Sequence, residues 1–183
     1  MRVYLAGPDV FFPDPHAWAE RKRQLCAAAG LEGITPFAAI PDETGWAALT
    51  EADRIARRNE ARIRTCAAVI ANLTPFRGVS ADVGTVYEVG YARALGLPVF
   101  AYTNVAAGLA TRTPDDGLQI EDFGLHENLM IDAAVRQAGC LVVADRMAAC
   151  WTDLDAFTHC VALTAASLRG DAAQRPADAV IIG

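Results

Sequence analysis

Residues 67–73, AAVIANL, form a nearly continuous apolar run with none of the alternation expected of a strand half open to water. So short a run, buried on both faces, belongs in the middle of a parallel sheet. Such a sheet needs helices above and below it. The flanking sequence supplies both kinds of element. RVYLA (2–6) reads as a first strand, LEGITPF (31–37) as a weaker second, LPVFAY (97–102) as a fourth and CLVVA (140–144) as a fifth.

Helical patterns separate the strands. DPHAWAERKRQLCAAAG has Asp14 as N-cap, Pro15 in the first turn and Gly30 past the end. TEADRIARRNEARIRTC places Thr50 and Asp53 at a cap, with Ile55 and Ile63 on one face. A third helix runs over 83–96 and stops at Gly96, and a last one follows in WTDLDAFTHCVALTAASL. The alternation predicts an α/β three-layer sandwich with a five-stranded, mostly parallel sheet in the order 2-1-3-4-5. One domain over residues 1–169 is expected, followed by a tail, 170–183, in which AVIIG is apolar enough to dock. The turn-rich stretch 103–124 suggests a lid, a binding loop or a subunit contact.

The net charge of −6 gives no global attraction for a nucleic acid polymer or an anionic membrane. The chain opens directly on a strand pattern, and its apolar stretches fall short of the ~20 residues that span a bilayer. Five cysteines without a close pair suggest reduced thiols and a cytoplasmic location. His16, His126 and His159 are scattered, with no HExxH or CxxC, so no metal is expected.

In an open parallel sheet of this order the ligand crevice lies beyond the carboxyl ends of the first and third strands. Unusual chemistry gathers there. AGPDVF follows strand one, with Gly7 permitting close backbone approach and Asp9 the first charge. NLTPFRGVSADVG follows strand three, with Asn72, Arg77, Gly78 and Asp82. Glu88 falls a turn and a half into the next helix, beside its apolar flank. Spacing alone leaves Glu88 either an exposed helix residue or a carboxylate beneath the crevice. Asp82 suits a helix cap. No GxxxxGK[ST] is present, and no GxGxxG follows the first strand. Acidic groups with only Arg77 nearby make a poor phosphate cradle but suit a reaction that develops positive charge, such as glycosidic cleavage.

VYLAGPDVF, DVGTVYEVGYARALGLPVFAY and ENLMIDAAV, in this order over most of residues 1–145, resemble the nucleoside 2-deoxyribosyltransferases. The D-x-G-x-x-x-E-x-G core is the most specific part. The resemblance implies a flavodoxin-like fold, no cofactor, and transfer of 2-deoxyribose from a deoxynucleoside to a free nucleobase. It implies Glu88 as the nucleophile, forming a deoxyribosyl ester with net retention, and Tyr4 as the residue that holds it. Asp82 matches the residue that binds the sugar hydroxyl. Asn128 matches a residue given to a neighbouring subunit's site, which implies a homo-oligomer, at least a dimer. Asn59 stands where the family pattern has an aspartate that meets the base, and an amide cannot act as a general acid. Asp9, water held by Asn59, or hydrogen bonds alone remain to assist the leaving base. A second reading is hydrolysis of deoxynucleoside 5′-monophosphates, with Arg77 and Gly78 holding the phosphate. A third is ligand binding without turnover.

Overall fold

The computed structural model describes residues 1–137, 139–146, 150–170 and 180–182. Strands β1 (Arg2–Ala6), β2 (Glu32–Ile34), β3 (Ala68–Asn72), β4 (Val99–Thr103), β5 (Leu141–Ala144) and β6 (Val180–Ile182) make one sheet. Their order is β2-β1-β3-β4-β5-β6, and every adjacent pair is parallel. The expected order is present, with one strand more than the sequence suggested. The extra strand comes from the tail, where Val180, Ile181 and Ile182 pair with Val142, Val143 and Ala144. Residues 171–179 and 183 of that tail lie outside the described residues.

Among the described residues six α-helices accompany the strands: α1 (Pro15–Ala28), α2 (Glu51–Arg64), α3 (Val83–Ala94), α4 (Leu109–Arg112), α5 (Leu129–Arg136) and α6 (Asp155–Arg169). Side chains alternate across a strand, so each strand divides its residues between two cores. Val3 and Leu5 join Ala68, Ile70, Phe100 and Tyr102 under Cys26 of α1 and Phe157 of α6. Tyr4 and Ala6 join Val69, Ala71 and Val99 under Ile63 of α2, Val89 of α3 and Val135 of α5. The result is a doubly wound, flavodoxin-like three-layer sandwich.

The caps explain where the helices begin. Asp14 accepts from Ala17 N at 3.1 Å, and Thr50 Oγ1 accepts from Asp53 N at 3.2 Å. Asp82 Oδ2 accepts from Thr85 N at 2.9 Å, which fixes the start of α3 beside the end of β3. Gly96, at φ 75, turns the chain out of α3 into β4. One expectation fails locally. Ile55 shares a helical stripe with Ile63, yet it is half exposed while Ile63 is wholly buried. The sheet covers the end of α2 but leaves its beginning open.

The long stretch 103–124 contains α4 and is held down by Arg112. Its guanidinium donates to the carbonyls of Val79 (3.0 Å), His126 (2.8 Å) and Ala107. All five cysteines are free thiols, four of them buried. Among the described residues no helix is long and apolar enough to cross a membrane.

Candidate active site

Tyr4 is the middle residue of β1, and its side chain points to the α2 and α3 side of the sheet. It is fully buried, and its hydroxyl donates to Glu88 Oε1 at 2.6 Å. The two residues are 84 positions apart and meet because β1 lies beside β3, whose outgoing loop leads into α3. Glu88 is half-buried. One side of it opens on a cavity of about 180 Å³ between α2 and α3, lined also by Ala56, Asn59, Glu60, Ile63, Gly84 and Tyr87.

This placement decides the electrostatics. Burial pushes the Glu88 carboxyl up from its ordinary 4.5 to about 7. The Asp82 charge adds to the push, while the Tyr4 hydrogen bond and the Arg62 charge oppose it. Burial, together with the adjacent Glu88 charge, holds the Tyr4 phenol well above its ordinary range. Tyr4 therefore stays a donor, and the carboxylate that accepts from it keeps its second oxygen for other work.

Asp82 is the N-cap of α3. Its Oδ2 accepts from the Thr85 amide and hydroxyl at 2.9 and 3.0 Å. A Cβ on Gly84 would stand 3.1 Å from that oxygen, so the glycine leaves room for the aspartate. Gly84 also lines the Glu88 cavity. The spacing D-x-G-x-x-x-E thus places a cap, a gap and a carboxylate on one edge of α3.

Asn59 lines the same cavity and accepts from Arg62 Nη1 at 2.8 Å. Gly7 ends β1 in extended conformation, and a Cβ there would come within 3.0 Å of Asn72 Cβ. The close approach expected of Gly7 is made to the end of β3. Asn72 Oδ1 accepts from Thr74 N at 3.1 Å and shapes the turn out of that strand.

Asp9 is drawn the other way. Its carboxylate pairs with Lys22 of α1, and Lys22 Nζ donates also to Tyr102 hydroxyl at 2.8 Å. Among the described residues no hydrogen bond or ion pair links Asp9 to Glu88 or Asp82. Arg77, at φ 54, lays its guanidinium over the rings of Phe11 (5.0 Å) and Phe76 (4.8 Å), which stack on each other at 5.4 Å. Gly78 follows it with open space around its α-carbon. Asn128 caps α5 through Met130 N at 3.0 Å and donates to Glu121 at 3.4 Å. It makes no hydrogen bond to the Tyr4–Glu88 pair.

The sequence pattern points to Arg77 as the one nearby cation, but the structure brings in Lys22 and Arg62. Both sit in charged runs, ERKRQ and RRNEARIR, that look like solvated faces. Arg62 carried one signal: it follows Asn59 by three and precedes Ile63, on the stripe that faces the sheet. Glu127 was also missed. Buried, it accepts from Ser80 Oγ (2.5 Å), Ala81 N (2.8 Å) and Asn128 N (3.1 Å), tying the loop before α3 to the start of α5. Among the described residues no group of three His, Cys, Asp or Glu is arranged to hold a metal.

Fold and pair define an α/β protein with a phenol-held carboxylate facing a small cavity near the crevice of its sheet. A family model described as nucleoside 2-deoxyribosyltransferase matches residues 3–130. A solved structure of a 2-deoxyribosyltransferase from Leishmania mexicana is 30% identical, covers 87% of this chain and 96% of its own, and superposes with a TM-score of 0.63. An uncharacterised protein of Schizosaccharomyces pombe is 26% identical over 170 residues, 78% of this chain and 81% of its own. A conserved protein of Enterococcus faecalis V583 shares the fold at 24% identity, with a TM-score of 0.51 over 78% of this chain and 91% of its own. The chain belongs to the nucleoside 2-deoxyribosyltransferase family.

Proposed function

We propose that this protein transfers 2-deoxyribose from a deoxynucleoside to a second nucleobase through an ester on Glu88. The observation that carries the reading is the 2.6 Å hydrogen bond from Tyr4 to Glu88 at the wall of a cavity. The free carboxylate oxygen attacks C1′, and the bond from C1′ to the base nitrogen breaks with its electron pair going to the base. The departing base takes up a proton from solvent; a nitrogen of the incoming base then attacks C1′, gives its proton to solvent and releases the carboxylate. Two inversions give net retention. No cofactor enters the scheme.

Tyr4 steadies the nucleophile without taking its charge. Asp82, with one oxygen engaged by Thr85, offers the other to a deoxyribose hydroxyl. Asn59 faces the base. The active unit is a homo-oligomer, at least a dimer, in which Asn128 serves a neighbouring site. Exposed Val83, Tyr87 and Met130 support an association through α3 and the start of α5. Met130 also lines an apolar groove of about 430 Å³ between those helices, with Val86, Val89 and Ile131. Sedimentation should show an assembly that Met130→Asp weakens; a wild-type monomer at micromolar concentration would remove Asn128 from its role.

The test of the reaction is incubation with a deoxynucleoside and a different free base, followed by separation of the products. Exchanged nucleoside is expected, lost in Glu88→Gln. Deoxyribose formed at equal rate with and without acceptor base would instead assign hydrolysis, and binding without turnover would assign a sensor.

A further inference from the structure

Deoxyribosyl transfer from a site with Asn59 facing the base puts an amide where a carboxylic acid would protonate the departing base, and the Glu60 carboxylate that lines the same cavity is engaged by the Tyr87 hydroxyl. The geometry around Asn59 supplies a different kind of help. Arg62 lies one turn further along α2, at 7% exposure. Arg54, Arg58 and Arg64 of the same helix pair with carboxylates nearer the surface. Arg62 turns inward instead. Its Nε donates to the Ala38 carbonyl at 2.9 Å and its Nη1 to Asn59 Oδ1 at 2.8 Å.

A guanidinium carries donors and no acceptor. Asn59 can therefore meet Arg62 only with its carbonyl oxygen, since the flipped amide would set donor against donor. The amide nitrogen Nδ2 is left turned away from Arg62, with no protein acceptor among the described residues. Asn59 and Glu88 line one cavity. The anchoring is costly, because a buried guanidinium is stable only when its donors are satisfied. That cost makes an accidental contact a poor explanation.

We propose that Arg62 is a positioning residue that locks the Asn59 amide with its NH2 group toward the Glu88 cavity, so that the bound nucleobase meets a fixed hydrogen-bond donor there. This rests on the deoxyribosyl-transfer reading. The favoured substrates are bases that place a ring nitrogen or carbonyl oxygen at that point. As the C1′–N bond breaks, the electron pair passes to the base, and negative charge spreads onto such acceptors. A donor already aimed at them strengthens as the charge grows. The base takes its proton from solvent, and Asn59 gives none up.

Arg62 has a second influence, through its charge on Glu88, which Tyr4 and Asp82 also perturb and whose cavity Glu60 and Tyr87 share. The experiment separates the two. Exchange is measured for a purine deoxynucleoside and for its 3-deaza and 7-deaza analogues, in which one acceptor nitrogen becomes C–H. The proteins are wild type, Asn59→Leu, Arg62→Met, Arg62→Gln and the double variant Asn59→Leu/Arg62→Met, each checked by thermal melting.

Wild type should prefer the parent over one deaza analogue by about tenfold, the loss of one charge-assisted contact. Asn59→Leu and Arg62→Met should each reduce that preference to within about twofold. Arg62→Gln, which carries both donor and acceptor, should relax it likewise and serves if Arg62→Met fails to fold. In the Asn59→Leu background Arg62→Met should leave the ratio unchanged and only move the acid limb of the pH profile. Retention of the wild-type preference in both Arg62 variants overturns the proposal.

Absence of exchange by wild type with purine and pyrimidine deoxynucleosides alike would instead sink the underlying reaction. The positioning is then read by NMR from the Asn59 13Cγ resonance, assigned by its loss in Asn59→Leu. It should move upfield in the Arg62 variants as the charge-assisted bond is lost; an unmoved resonance overturns the proposal without any turnover.

Discussion

The sheet carries a carboxylate, a tyrosine and a cation on each of its faces, and the two sets are built to opposite ends. Under α1, Asp9 pairs directly with Lys22, Lys22 is capped by the Tyr102 hydroxyl, and its ammonium lies over Phe157 at 5.1 Å. Under α2 and α3, Glu88 meets a phenol rather than an ammonium, and Arg62 reaches Asn59 and a backbone carbonyl instead of the carboxylate. The first set pairs its opposite charges directly, with Asp9 Oδ1 left unpartnered among the described residues, and has almost no free space beside it, about 10 Å³. The second leaves a carboxylate without a contact ion pair beside a cavity of about 180 Å³. A charge that is neutralised where it stands contributes to the fold. One that is held but not neutralised stays available to a substrate.

The sharpest way to break this contrast is to remove each carboxylate's partner or the carboxylate itself. Glu88→Gln should lower base exchange by more than about a thousandfold while the protein stays folded. Activity within tenfold of wild type, measured by product separation, would end the nucleophile assignment. Lys22→Met should show the reverse profile. It strands the Asp9 charge in a poorly solvated place and should cost about 3 kcal/mol in urea unfolding. Turnover per folded molecule should change less than about threefold, and a larger loss would mean the two faces are coupled.

Tyr4→Phe tests the same contrast more gently. It removes the donor but keeps the ring in the core, and a fall of about tenfold in kcat is expected. The pH profile gives the sharper readout. The attacking form of Glu88 is the carboxylate, so the wild-type rate should fall as pH drops through about 7. The Tyr4 hydrogen bond opposes the upward push, so the acid limb should move to higher pH in Tyr4→Phe. A limb that stays in place would detach Tyr4 from the carboxylate's ionisation.

The smallest effect concerns stability. With its carboxyl at about 7 when folded and 4.5 ordinarily, Glu88 makes the folded state bind more protons than the unfolded one between those values. Its contribution is therefore fully favourable below 4.5 and declines as pH rises to 7. The melting temperature of Glu88→Gln relative to wild type should rise between pH 5 and pH 8, by a few degrees at most. A constant difference would show that ionised Glu88 is not held at a cost.

Much of this was legible beforehand, for identifiable reasons. The parallel sheet followed from the apolar run at 67–73, and the starts of α1, α2 and α3 from Asp14, Thr50 and Asp82. Those are local signals, carried by a residue and its near neighbours. Glu88 stood out because a carboxylate beside an apolar flank conflicts with its surroundings. Lys22 and Arg62 did not, because each sits among other charges and nothing in a charged run says which member turns inward.

The sequence by itself determined the layering, the strand order around β1 and β3, and the edge of α3 on which Asp82, Gly84 and Glu88 fall, because period and capping chemistry act over a few residues. Only the tertiary structure decided that Tyr4 reaches Glu88 across 84 positions, that Asp9 turns to Lys22, and that Arg62 takes the carbonyl end of Asn59. Such pairings depend on which face of the sheet each side chain emerges from and how far each helix overhangs it, which is settled only when the layers close.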